Sequence, residues 1–245
     1  RLAPNDPFVQ HCLAGVLVKM DKPKEALVYY TQSIQGDPRK HLAYAGRAAV
    51  YRQLERQQDA VDDYQRAIAL EPLEPSYHHE LARVLVELKR YPLAEDELLT
   101  ALRFSPNDVD VLADLGNLHA RLGRRDEAIT QYRDVLEHAA ASDAIRENLA
   151  TLLFESGQLE AAAEQYAWLV EKKPQVAKYS LALGRIALAQ RRLPEAQQHF
   201  REAIRLEPDT ASHHLALAAA LKEHQDNLAE AIESCRTALE LAPEL

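Results

Sequence analysis

LGNLHARLGRRDEAITQYRDVLE, Leu115–Glu137, decides how this 245-residue chain folds. Leu115, Leu118 and Leu122 fall three and four residues apart, the polar run LGRRD (122–126) interrupts them, and Ala128, Ile129, Tyr132 and Val135 resume helical spacing. Such intervals line up side chains on one face of an α-helix, and a glycine among charged residues breaks it. The stretch reads as a helix, a tight turn and a second helix, and ESGQL (155–159) marks the same break in the next stretch.

Working outward, the motif recurs. Pro4, Pro38, Pro72, Pro106, Pro174, Pro208 and Pro243 each follow a short helix end, at intervals of 34, 34, 34, 68, 34 and 35 residues. Proline lacks an N–H and pushes the residue before it out of the α region, so each one stops a second helix. Ala140, in HAAAS, stands at the middle of the double interval, and one extra residue falls within Gln225–Asn227. Seven units follow: 7–40, 41–74, 75–108, 109–142, 143–176, 177–210 and 211–245, with residues 1–6 reading as the end of a preceding unit.

Position 8 of the units is always small (Ala14, Ala48, Ala82, Gly116, Ala150, Gly184, Ala218), and position 20 is always alanine (Ala26, Ala60, Ala94, Ala128, Ala162, Ala196, Ala231). Small residues at two fixed places imply two closely packed helices. Beside them stand large ones: at position 7 Leu13, Arg47, Leu81, Leu115, Leu149, Leu183 and Leu217, and at position 24 Tyr30, Tyr64, Leu98, Tyr132, Tyr166, Phe200 and Cys235. With alanine at position 27 (Ala67, Ala101, Ala203, Ala238) and proline at 32, the pattern resembles the tetratricopeptide repeat over essentially the whole chain. Arg47, Val135, Leu169 and Ala140 are local departures. The resemblance implies an all-α, right-handed α-solenoid of seven helix-turn-helix repeats. The first and last units look uncapped, so the chain reads as a section of a longer array.

Composition agrees. The chain is 47% apolar and 27% charged, with 7 glycines and 6% aromatics, which suits a folded helical protein rather than a disordered one. Its apolar runs are broken before the roughly 18 residues of a membrane span, so no direct membrane insertion is expected. A formal net charge of -9 repels phosphate backbones and argues against a nucleic-acid partner. Arginine far outnumbers lysine among many Ala and Leu residues, as in GC-rich bacterial coding.

Nothing in the sequence assembles a catalytic constellation. No two histidines stand three or four residues apart on one helix, so no metal or other cofactor is expected. Cys12 and Cys235 are too few for a disulfide framework and read as inert thiols, Cys235 in a core position. His119 and His214 read as packing residues, and the glycines form no phosphate-cradling loop.

In the family that the repeat resembles, positions 2, 5, 9, 12 and 13 of the first helices line a concave groove. The resemblance implies a charged middle section with His79, Arg83 and Glu87, then Asp110, Asn117 and Arg121, then Glu147 and Thr151, then Arg185, joined by Asp114 and Asn148 at position 6. Arg52 belongs to the same face. Asn117 and Asn148 occupy places where peptide-binding members hold a ligand's backbone, since an amide both donates and accepts; repeats also carry asparagine there with no ligand. The carboxylate clamp of Hsp90 and Hsp70 co-chaperones needs a lysine at position 5, and His11, Ala45, His79, Ala113, Glu147, Leu181 and Leu215 stand there instead. The alternating charges leave two readings open. Arg83 with Glu80 and Glu87, and Arg121 with Asp114, pair within the molecule, or the arginines dock a partner's acidic or carbonyl groups.

The expected function is a non-catalytic scaffold binding a partner protein or an extended segment. A bacterial envelope, polysaccharide-export or secretion assembly is its expected setting, periplasmic sooner than cytoplasmic. The alternative is the substrate-recognition arm of an enzyme such as a protein O-GlcNAc transferase.

Overall fold

The computed structural model describes residues 6–139, 142–224 and 227–244. Residues 1–5, read above as part of a preceding unit, Ala140 in the place of a proline, and Gln225 and Asp226 of the insertion lie outside the described residues.

Fourteen α-helices and no strand occur among the described residues, in two compact units, Arg1–Gly123 and Arg124–Leu245. In the first, α1 (Pro7–Lys19) pairs with α2 (Pro23–Gly36), α3 (His41–Gln53) with α4 (Gln57–Leu70) and α5 (Pro75–Glu87) with α6 (Tyr91–Phe104), and α7 (Val109–Arg121) packs on α6. The second holds α8 (Arg125–His138), then α9 (Asp143–Glu155) with α10 (Leu159–Lys172), α11 (Ala177–Ala189) with α12 (Leu193–Leu206), and α13 (Ala211–His224) with α14 (Leu228–Leu241). Within each unit every helix packs on its neighbours in sequence, and first helices also meet one another: α1 with α3, α3 with α5, α5 with α7, and α11 with α13. This is the stacking of an all-α solenoid.

The repeat chemistry explains the regularity. In the first six repeats the turn at position 15 passes through a left-handed residue: Asp21, Glu55, Lys89 and Arg191 at φ 57–58°, Gly123 at 75° and Gly157 at 74°. Each second helix that precedes a proline ends at an extended residue, with φ from −135° at Lys173 to −143° at Ala242. Ala139 takes the same conformation (φ −137°, ψ 71°) with alanine and not proline next in the sequence, so α8 ends there without a proline. Asp108 caps α7 by accepting hydrogen bonds from the N–H groups of Asp110 and Val111.

The small positions sit at the helix-helix contacts. The alanines at positions 8 and 20 are fully buried except at the last pair, where Ala218 and Ala231 keep slight exposure. Gly184 lies so close to the fully buried ring of Phe200 that a Cβ there would come within 2.5 Å of Phe200 Cδ1. Overpacking of that kind typically costs about 1–3 kcal/mol.

Two expectations about the core are corrected. Leu13 is 39% exposed and Cys235 is exposed, whereas their counterparts, such as Leu81 and Phe200, are buried. Position 7 reaches toward the second helix of the preceding pair, as Arg47 does toward Thr31 of α2 at 3.2 Å, and position 24 reaches toward the following pair, as Tyr30 does toward Gly46. Among the described residues α1 has no helix before it and α14 none after it, so neither side chain is covered.

Candidate functional site

In the first unit the first helices α3, α5 and α7 lie side by side and bring the expected residues together. Arg52, Arg83, Glu87, Asp114, Asn117 and Arg121 line a depression of about 430 Å³ floored by Ala82, Leu98 and Leu118. The charges form a chain. Arg52 Nη1 donates to Glu80 Oε2 at 2.5 Å, Arg83 Nη1 lies 3.3 Å from Glu80 Oε1, and Arg83 Nε donates to Asp114 Oδ2 at 2.7 Å. His79, buried on α5, places Nε2 at 2.8 Å from the same Asp114 oxygen. Burial alone would raise the pKa of Asp114, but the hydrogen bonds from His79 and Arg83 outweigh it and hold the carboxyl below its ordinary value. An ionised Asp114 accepts only, so His79 donates from Nε2.

The pairing differs in part from the one read in sequence. Asp114 is taken by Arg83 and His79, not by Arg121, and Glu87 faces Arg52 at 4.0 Å. Among the described residues Arg121 makes no ion pair, and it stands exposed on the rim of the depression. Asp110 is exposed near the start of α7, and Asn117 is exposed one turn before Arg121.

In the second unit Glu147 and Thr151 of α9 and Arg185 of α11 line a depression of about 320 Å³, with Phe154, Tyr166, Lys178, Tyr179, Leu181 and Ala182. Glu147 accepts from Lys178 Nζ at 2.6 Å and from Tyr179 Oη at 3.0 Å. Burial, and then that bond, push the Tyr179 phenol up to about 12. Thr151 Oγ1 donates to the Glu147 carbonyl at 2.9 Å and meets Tyr166 Oη at 2.9 Å. Asn148 hydrogen-bonds with the hydroxyl of Tyr132 on α8, an internal partner that competes with any ligand for its amide. Arg185 is exposed and, among the described residues, has neither an ion pair nor a hydrogen bond.

The sequence reading paired Glu80 with Arg83, as the structure does, but missed that Glu80 also holds Arg52, and it missed Tyr179, which with Lys178 fixes Glu147. The Glu80–Arg83 pair was readable because the two stand three residues apart on one helix face, whereas Arg52 lies 28 residues from Glu80. Tyr179 carried no such signal, because its partner lies 32 residues away.

The family model described as tetratricopeptide repeat matches residues 13–75, 46–109, 113–177 and 181–245. No curated protein matches the sequence significantly. Among solved structures, the C-terminal part of a TPR repeat-containing protein from Cytophaga hutchinsonii superposes with a TM-score of 0.81 at 16% identity, covering 96% of each chain. YrrB, described as a TPR protein with an unusual peptide-binding site, gives a TM-score of 0.68 at 23% identity over 78% of this chain and 96% of its own. MamA gives 0.64 at 17% identity over 70% and 93%. These structures share the fold, and the repeat model spans nearly the whole sequence. The chain belongs to the tetratricopeptide repeat family.

Proposed function

We propose that this chain is a non-catalytic scaffold that holds a partner protein or an extended segment against the first-helix face. A fold of stacked helix pairs suits protein-protein interaction. The observation that carries the reading is the division among the lining arginines. Arg52 and Arg83 are held by internal carboxylates, whereas Arg121 and Arg185 stand at the rims of two depressions with no ion pair among the described residues. Arginine, with Trp and Tyr, is enriched among the residues that carry most of the binding energy at protein interfaces. The peptide-binding site named for YrrB is a precedent on a similar fold. The setting in a bacterial envelope, polysaccharide-export or secretion assembly rests on composition and family resemblance.

The test is affinity capture from an extract of the source organism with three baits: the wild-type chain, Arg121→Glu/Arg185→Glu, and Arg103→Glu on the exposed face of α6. A protein held by the first and third baits and lost from the second, with unchanged helicity by circular dichroism, supports the reading. Identical recovery on all three moves binding to another surface.

A further inference from the structure

The depression in the second unit is built for a particular kind of segment, an inference that rests on the first-helix reading and narrows it. Its polar groups are nearly all engaged. Glu147 has two donors, Lys178 and Tyr179, Thr151 and Tyr166 satisfy each other, and the Glu155 carboxylate lies 3.5 Å from Arg125 Nε. What remains is an apolar wall of Phe154, Leu181 and Ala182, and the Arg185 guanidinium, exposed and unpaired among the described residues.

We infer that this depression binds an extended segment in which an aliphatic or aromatic side chain lies within two residues of an Asp or Glu. The apolar side chain seats against Phe154, Leu181 and Ala182, and the carboxylate takes the Arg185 guanidinium. The planar guanidinium fork matches a carboxylate in a two-point hydrogen bond, which a lysine cannot reproduce. Apolar surface beside the fork lowers the local dielectric and strengthens that contact. A basic segment finds weaker acceptors, since Glu147 is already held by two donors and the half-exposed Glu155 lies 3.5 Å from Arg125. The whole chain's charge of -9 opposes acidic segments at long range, so the preference is local and owes nothing to steering.

The experiment pans a random heptapeptide display library on the intact 245-residue chain and measures the enriched peptides, resynthesised with capped ends, by titration calorimetry. Enrichment of an acidic residue within two positions of Leu, Ile, Val or Phe is expected. Arg185→Gln should weaken these peptides about tenfold, the effect of one hydrogen bond to a charged group, and replacing the peptide acid by its amide should weaken them alike. Ala182→Phe, which fills the depression, and Leu181→Ser, which makes its wall polar, should weaken them further. Peptides that lose affinity on Ala182→Phe but not on Arg185→Gln overturn the acidic assignment and leave the first-helix reading standing. Peptides that no variant affects, or no enrichment at all, overturn both.

Discussion

The guanidinium of Arg47 and the carboxylate of Asp63 meet across α3 and α4 in two parallel hydrogen bonds, Nε to Oδ2 at 2.7 Å and Nη2 to Oδ1 at 2.8 Å. Arg47 occupies the position where the other six repeats carry leucine, and the buried Asp63 is what makes the arginine tolerable there. Arg47→Leu alone strands a buried carboxylate and should destabilise the chain by about 3 kcal/mol, the usual cost of breaking such a pair from one side. Adding Asp63→Gln, the residue at the equivalent places 131 and 165, should recover most of that loss. Urea denaturation of the two single variants and the double variant measures the coupling. A double variant as unstable as Arg47→Leu would show that the arginine matters for its packing and not for the pair.

The turn residues contain an internal control. Lys89 holds φ 58° where Gly157, in the same place of another repeat, holds 74°. A side chain in the left-handed region costs about 1 kcal/mol or more, whereas glycine has no such cost but gains freedom when unfolded. Gly157→Ala should therefore lower stability by about 1 kcal/mol, and Lys89→Gly should raise it by about half as much. Thermal melts of the two variants decide the matter, and a loss with Lys89→Gly would mean that its side chain contributes more than its backbone strain removes.

Asp114 should make the first unit sensitive to acid. Its folded-state pKa lies below the ordinary carboxylate value because hydrogen bonds from His79 and Arg83 outweigh the opposing effect of burial. A carboxyl depressed by folding adds stability that is fully present above its unfolded pKa of about 3.9 and disappears as pH falls through the lower folded value. Wild type should thus lose stability more steeply than Asp114→Asn as the pH drops below about 4, with the gap between them closing toward low pH. Urea midpoints measured across that range test it, and parallel curves for the two proteins would exclude the network as the origin of acid sensitivity.

The helices and their pairing were legible because the signal repeats: small residues at positions 8 and 20, a turn at 15 and an extended residue before each proline. The side-chain pairing between different helices was not. Whether Asp114 meets Arg121, one helix face along, or Arg83, 31 residues back on the neighbouring first helix, depends on how the two helices are juxtaposed, which no single-helix spacing encodes. Leu13 and Cys235 failed for a related reason. Their positions predict burial only when a neighbouring helix pair stands against them, and the repeat pattern describes a position without saying what lies beyond it.

The difference between Arg83 and Arg121 separates scaffold from site. Arg83 is tied to Asp114 and Glu80 and is more than a third exposed, so Arg83→Ala should cost about 0.5–1 kcal/mol after solvent screening. Arg121, exposed and without an ion pair among the described residues, should tolerate Arg121→Ala within about 0.5 kcal/mol. If the first-helix face of this unit holds the partner, the order reverses for binding. Arg121→Ala should weaken it directly, by about tenfold for a hot-spot arginine, whereas Arg83→Ala should act only through loosened packing around Asp114. Melting temperature and partner affinity measured on the same two variants give the comparison, and a partner affinity that follows melting temperature in both would place the contact somewhere other than this rim.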